Sequence, residues 1–188
     1  MNIRWGDFGK FLRESYMPGV AQLFEEFKAS CRECGGDYSK FQQINPFCQP
    51  MYTILTDGKS AIRCGAGHNA ISITTDGRYL CCPVASDEAW NNIGTLKDAP
   101  MEQMDRVVIG GQCNECADRD ICGGRCLYAN HTMHWGKDGF QLVCTTVKQI
   151  LDLCRGFKEE LTQLIQEGRV AMEWFQFPNE RYSLETIP

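Results

Sequence analysis

The sequence lacks the features that would place the chain in a membrane or on nucleic acid. No stretch of its 188 residues approaches the roughly 18 apolar residues that a membrane-spanning helix needs. Basic residues are not in excess, since 19 Lys and Arg face 24 Asp and Glu for a net charge of -5, and a phosphate backbone is held mainly by basic side chains. The amino terminus has no apolar run typical of a signal peptide. These absences predict a cytoplasmic protein that binds neither membrane nor nucleic acid.

Cysteine, in contrast, is abundant, with twelve copies in the chain. Disulfides are typical of oxidising compartments and small secreted scaffolds, whereas clustered cysteines in a reducing cytosol usually bind metal. Because no signal peptide is present, we expect most of these cysteines to serve a metal site.

Apolar residues at helical spacing predict helices near both ends of the chain. Residues 7–29 carry an apolar stripe that Pro18 and Gly19 interrupt once. Residues 145–167 carry the longest stripe, which predicts the best-defined helix of the chain. With 43% hydrophobic residues, the protein can bury a core.

Between these helices, Asp-Gly pairs indicate tight turns. An Asp-Gly pair between two strand-like runs favours a β-hairpin, and such pairs occur at Asp57-Gly58 and at Asp76-Gly77. Residues 87–94 favour a loop. The predicted fold class is α+β, with small β-hairpins and cysteine-rich metal-cluster loops flanked by N-terminal and C-terminal helices.

Four cysteines lie in one short run with gaps of two, five and three residues: Cys113, Cys116, Cys122 and Cys126. The two-residue gap lets two sulfurs face one centre, which suits zinc and iron-sulfur clusters equally. One compact loop does not readily bring all four sulfurs to a single tetrahedral ion. In two-cluster ferredoxins a closely spaced fourth cysteine ligates the other cluster. The run is therefore predicted to bridge two metal centres.

Further cysteines lie on both sides of the run, at spacings that belong to the pattern. Twelve residues separate Cys64 from Gly77, four separate Gly77 from Cys82, and seventeen separate Cys126 from Cys144. Taken with the run, this pattern resembles the seven-cysteine signature of the SPASM domain, the carboxy-terminal extension of many peptide-modifying radical S-adenosylmethionine enzymes. The resemblance covers about residues 63–154, and it implies up to two auxiliary [4Fe-4S] clusters.

The resemblance also implies which cysteines bind each cluster. The first cluster would take three ligands: Cys64, Cys82 and Cys126. The second would take a full set: Cys113, Cys116, Cys122 and Cys144. Cys126 would thus cross over and join the two centres. For the fourth iron of the first cluster two alternatives stay open, either ligation by Cys48, which lies farther upstream than the corresponding family ligand, or an open iron that meets the substrate.

One part of the family pattern is missing. The catalytic half of these enzymes carries a Cys-x3-Cys-x2-Cys triplet that binds S-adenosylmethionine through a cluster, and no such triplet occurs in this sequence. We therefore expect the chain not to cleave S-adenosylmethionine alone. The partners that the resemblance implies are a radical S-adenosylmethionine catalytic domain in the same or a separate chain, a peptide substrate and a redox protein.

The resulting domain prediction has three parts. Residues 1–50 would form a helical linker or docking region, residues 51–155 the SPASM-like iron-sulfur domain, and residues 156–188 the end of the C-terminal helix with its tail. Two other functions remain possible from the residues alone: a zinc-stabilised interaction module and a free-standing iron-sulfur electron carrier. Spacing argues against zinc, because the run holds only one Cys-x2-Cys knuckle.

The remaining cysteines have simpler interpretations. Cys31-x2-Cys34 is either half of a zinc site or a pair of reduced surface thiols. Cys81 adjoins a ligand and should point the opposite way in an extended strand, into the core. Cys154 lies on the apolar stripe of the last helix and should pack there. The glycine pair at 123–124 lets backbone amides approach cluster sulfurs, which is one lever on reduction potential.

Overall fold

The computed structural model describes residues 8–60, 62, 64–67, 70–98, 100 and 106–176. The chain divides into two compact units, one formed by Met1–Lys59 with Gly136–Pro188 and the other by Ser60–Trp135. These bounds differ from the expected divisions after residues 50 and 155. The reason is that helices from both ends of the chain pack together in the first unit, including residues assigned by sequence to the central domain.

The first unit begins with a continuous helical stretch. Helix α1 (Phe8–Phe11) passes through a π-helical segment (Leu12–Tyr16) into α2 (Met17–Glu33). The predicted interruption at Pro18 is therefore wrong. Pro18 lies in the first turn of α2, where a missing N–H is tolerated. The irregularity lies just before it, where the Met17 N–H bonds to Leu12 O with π-helical spacing.

The predicted hairpin around Asp57-Gly58 is also wrong, because the preceding residues form helix α3 (Asn45–Leu55). Pro46 stands in its first turn, where proline is favoured. Its buried apolar residues recur at helical rather than alternating spacing, and they are Phe47, Cys48, Met51 and Ile54. Burial of this stripe against the rest of the unit outweighs the strand tendency of the local sequence.

The Asp-Gly pair ends this helix instead of turning a hairpin. Asp57 adopts a left-handed conformation with φ of 47°, and the Gly58 N–H donates to Thr53 O at 3.0 Å. A left-handed residue followed by this bond is a Schellman cap, which satisfies carbonyls that a helix end leaves without partners.

The second long helix of the unit is α6 (Gly136–Gln166), which packs against α2 and α3. The helix predicted for 145–167 is thus confirmed, although it begins earlier. Phe27 of α2 is fully buried at the centre of the unit. Its ring lies within 6.4 Å, centroid to centroid, of five others: Phe24, Phe41, Phe47, Phe157 and Phe175.

The second unit contains a three-stranded antiparallel sheet of order β1-β2-β3. Its strands are β1 (Ser72–Ile73), β2 (Arg78–Leu80) and β3 (Asn92–Thr95). The hairpin predicted at Asp76-Gly77 is confirmed, with Ser72 paired to Leu80 and Gly77 at φ of 84°. Strand β3 was expected to be loop, because its residues alternate too briefly to give a strand pattern.

Short elements complete the second unit. Helices α4 (Arg119–Cys122) and α5 (Leu127–Thr132) follow a 3-10 turn at Gly111–Cys113. The core of this unit is a small cluster of buried residues: Ile62, Ala66, Cys81, Cys82, Ala85, Ile109 and Leu127. The fold is therefore α+β. Within the described part of the chain, no helix combines the length and apolar character needed to cross a membrane.

Candidate metal centre

The cysteine run of the second unit is built from three consecutive tight turns. The 3-10 turn ending at Cys113 leads into a turn in which the Cys116 N–H bonds to Cys113 O at 3.3 Å. Helix α4 then ends at Cys122, whose N–H bonds to Asp118 O at 2.8 Å. Each turn is closed by backbone hydrogen bonds, so the local chain direction at each thiol is set without a large apolar core.

Three thiols of the run lie near enough to one another for their charges to interact. Burial raises the pKa of Cys113, and the neighbouring Cys116 raises it further. Burial likewise raises the pKa of Cys122, with smaller contributions in the same direction from Cys113 and Cys116. All three are partly buried. The structure therefore brings together three of the four residues expected at the second cluster.

Hydrogen-bond donors are directed at the sulfurs of the run. The side-chain amide of Asn130 donates to Cys113 Sγ at 3.6 Å, and the Ala129 N–H donates to Cys126 Sγ at 3.5 Å. A backbone hydrogen bond from Gly124 lowers the pKa of Cys122, against the effect of burial. Donors in these positions stabilise thiolate, the form in which cysteine binds metal.

The residues between Cys122 and Cys126 have an unusual backbone. Gly123, Gly124 and Arg125 all adopt left-handed conformations, with φ of 69°, 77° and 60°. A Cβ on Gly124 would lie 2.6 Å from Ile109 Cγ2, so the position excludes a side chain. The arginine is the costly member, because a non-glycine residue in this region is strained by about 1–2 kcal/mol. The glycine pair was expected to let backbone amides approach the sulfurs, and the hydrogen bond from the Gly124 N–H to Cys122 agrees with this expectation.

The cysteines expected at the first cluster differ from one another in burial. Cys64 is exposed, Cys126 is partly buried and Cys82 is buried. Cys126 stands at the N-terminus of α5, where its sulfur accepts the Ala129 N–H as a helix cap. Cys81, next to Cys82, is 1% exposed and belongs to the core cluster, as the sequence predicted.

Asn91 fixes the backbone at Cys82 and was missed by the sequence analysis. Its fully buried side chain accepts from the Cys82 N–H at 2.8 Å and donates to Cys82 O at 2.7 Å. It also donates to Ala85 O at 2.9 Å. A single asparagine has no characteristic spacing in a sequence, so no pattern could have identified it.

The cysteines of the first unit lie in a different environment. Four of them are at most 2% exposed: Cys31, Cys34, Cys48 and Cys154. The interpretation of Cys31 and Cys34 as surface thiols is therefore wrong. Cys34 Sγ donates to Arg169 O at 3.1 Å. Cys154 packs in the core as predicted, and Cys144 in α6 is only partly buried.

Cys48, one of the two alternatives for the fourth iron of the first cluster, is fully buried in α3. Burial raises its pKa to about 12. Burial raises the pKa of Cys31, and the charge of Cys48 would raise it further, so these two thiols lie near each other inside the first unit. Ligation by Cys48, by Cys144 and by the other expected ligands stays a prediction.

Among the residues that the structure describes, no group of three or more His, Cys, Asp or Glu side chains is arranged to hold a metal ion as it stands. The three neighbouring thiols at 113, 116 and 122 are thus close but not gathered on one point. Comparison with known protein families, with curated proteins and with solved structures finds no match to this chain.

Proposed function

We propose that this chain is an auxiliary [4Fe-4S] domain of a radical S-adenosylmethionine enzyme that modifies peptides, as the cysteine pattern implies. The observation that carries the proposal is the neighbourhood of Cys113, Cys116 and Cys122, with N–H donors directed at two of these sulfurs. Thiolates with hydrogen-bonded sulfurs are the donor set of iron-sulfur proteins.

The cysteine spacing favours a cubane over a single zinc ion, because the run holds only one Cys-x2-Cys knuckle. A zinc ion needs all its sulfurs within one bond length of the same atom, whereas the cysteines of a [4Fe-4S] cluster bind separate irons and stay farther apart. The left-handed turn after Cys122 adds a backbone N–H, that of Gly124, to the hydrogen-bond donors directed at the sulfurs.

The ligand assignment follows the family pattern. Cys113, Cys116 and Cys122 would hold the second cluster with Cys144. Cys64, Cys82 and Cys126 would hold the first, with Cys48 or an open iron completing it. When bound, the clusters would supply one-electron transfer, and an open iron would also supply a site for a peptide donor atom.

The residues of this chain would contribute binding and control of the clusters. The thiolates hold the irons, the amides of Gly124 and Asn130 stabilise negative charge on the sulfurs, and Asn91 keeps Cys82 in position. Radical chemistry would come from a catalytic domain with its own S-adenosylmethionine site. A peptide substrate and a redox protein are the further proposed partners.

Anaerobic reconstitution with iron and sulfide tests the proposal. The protein should turn brown and bind about eight irons per chain, since two cubanes hold about four each. A triple variant, with Cys113, Cys116 and Cys122 changed to Ala, should retain about four irons. A colourless protein with stoichiometric zinc would instead support the zinc-stabilised interaction module.

A further inference from the structure

Asn130 makes three side-chain contacts around Cys113. Its Oδ1 accepts the Gly110 N–H at 2.9 Å, and its Nδ2 donates to Gly110 O at 3.1 Å and to Cys113 Sγ at 3.6 Å. We propose that Asn130 is a positioning residue that places Cys113 and tunes the reduction potential of the cluster it binds. This inference rests on the function proposed above.

The positioning part of the proposal follows from the two bonds to Gly110. An asparagine that accepts from the N–H and donates to the C=O of one residue restrains both peptide units that flank that residue. Gly110 O also accepts the Cys113 N–H at 3.2 Å. The same carbonyl therefore links the Asn130 side chain to the 3-10 turn that carries Cys113, and loss of the clamp should loosen the turn.

The tuning part follows from the bond to sulfur. A hydrogen bond to a cluster ligand stabilises negative charge, and the reduced cluster carries one more negative charge than the oxidised cluster. The donor therefore favours reduction and raises the potential. Residues beyond the direct ligands commonly control a metal site in this way.

Asn91 shows that backbone clamping and sulfur bonding are separate functions. Its amide holds the Cys82 peptide units through their N–H and C=O groups. The Asn91 side chain bonds to backbone atoms of Cys82 and Ala85, whereas Asn130 clamps the backbone and also reaches a sulfur. Asn130 is thus the residue whose replacement should change both loop order and potential.

The position of Asn130 in α5 also matters for both proposed clusters. Helix α5 begins after Cys126, which is assigned to the first cluster, and its Ala129 N–H bonds to the Cys126 sulfur. The next residue, Asn130, bonds to the sulfur of Cys113, which is assigned to the second cluster. A six-residue helix therefore contacts a sulfur from each ligand set.

The test uses three variants of the reconstituted, iron-loaded chain. Asn130→Ala removes the clamp and the sulfur donor without adding charge. Asn130→Asp keeps an acceptor for the Gly110 N–H but removes the amide donor. Asn114→Asp is the matched control, because it adds the same charge next to Cys113 while the Asn130 donor remains. Asn114 is exposed and accepts from Arg119.

Two readouts separate tuning from general damage. Midpoint potentials of both clusters come from redox titration followed by spin resonance, and hydrogen exchange by mass spectrometry follows the peptide containing Gly110. We expect both Asn130 variants to lower the potential of one cluster, by more than Asn114→Asp does, and to leave the other unchanged. Asn130→Ala should also speed exchange at Gly110.

Each alternative result bears on the proposal. If Asn130→Ala loses about four irons and keeps the other cluster, positioning is supported, and Asn130→Asp then decides tuning. Wild-type potential and exchange in loaded Asn130→Ala would overturn the inference while leaving the iron-sulfur function intact. A wild-type chain that binds no iron would overturn both.

Discussion

The two compact units use cysteine in opposite ways. In the first unit, four of the five cysteines are at most 2% exposed and lie inside a core of aromatic and aliphatic side chains. A buried thiol with a raised pKa behaves as a small apolar residue and is chemically inert. In the second unit, five cysteines are partly buried or exposed. Accessibility therefore distinguishes the four packing cysteines of the first unit from five proposed ligands of the second, although Cys82, also a proposed ligand, is buried.

The two units also differ in the size of the residues that form their cores. The first unit buries five phenylalanine rings around Phe27, and each buried ring contributes about 1.5–3 kcal/mol. In the second unit four of the seven residues of the buried cluster are alanine or cysteine, and Tyr79, Leu80 and Ala129 are buried in addition. So small a core offers little to offset the conformational entropy of more than seventy residues. The first unit should be stable through packing, and the second through its ligands.

Removing the clusters should produce the largest difference in stability between the two units. Because a ligand site absent from the unfolded chain stabilises folding by its full binding free energy, on the order of 10 kcal/mol for structural metals, the second unit should unfold when the clusters are stripped. Helices α2, α3 and α6 should keep slow amide exchange. Hydrogen exchange by mass spectrometry before and after chelation measures both. Slow exchange throughout residues 60–135 of the stripped protein would show that packing alone holds the second unit.

Single ligand substitutions should have the next largest effect. Cys116→Ala and Cys126→Ala change two residues of the same run, and each should lose about four irons. If Cys126 crosses over to the other cluster, the two variants should retain different clusters, with different spin-resonance spectra and potentials. Identical residual spectra would mean that the run forms one self-contained site, and the proposed ligand sets would have to be abandoned.

A matched pair of glycine substitutions tests how tightly the second unit is packed around its cysteines. Gly111 and Gly124 both have positive φ, but a Cβ on Gly111 would meet nothing within 4 Å, whereas one on Gly124 would clash with Ile109. Gly111→Ala should therefore cost about 1–2 kcal/mol from backbone strain alone. Gly124→Ala should cost about 1–3 kcal/mol more through overpacking. The urea midpoint for loss of cluster absorbance reports both, and equal midpoints would contradict the packing at Gly124.

The elements that could be predicted from sequence are those whose pattern is long or whose turn is local. The stripe of α6 and the turn at Asp76-Gly77 both belong to this group. The same dipeptide at Asp57-Gly58 gave the wrong answer, because an Asp-Gly pair fits a helix cap as well as a hairpin turn. The buried face of α3 decided between them, and that burial depends on contacts distant in sequence.

The candidate site shows the same limit. Cysteine spacing placed Cys113, Cys116 and Cys122 in one proposed ligand set, and these three lie near one another because their gaps are short and the turns between them are local. It did not group Cys31 with Cys48, which α2 and α3 bring together through tertiary packing. Asn91 and Asn130 could not be found, because an isolated amide becomes informative only when the groups that it bonds are known.

The smallest expected effect is a loss of stability of the first unit at alkaline pH, caused by its buried cysteines. Burial, followed by the charges of Cys48 and Cys34, raises the pKa of Cys31 above its ordinary value of 9.0. In the unfolded chain this thiol loses its proton from about pH 9, while the folded chain retains it. The contribution to stability is therefore complete below pH 9 and is lost as the pH rises above it. Urea unfolding of the helices, followed by circular dichroism at pH 8 and pH 10, should show lower stability at pH 10. Cys31→Ala will be less stable at both values through lost packing, but its stability should fall less steeply with pH. An equal slope in the two proteins would show that Cys31 is not held as a buried neutral thiol, and the contrast between the units would then rest on their cores alone.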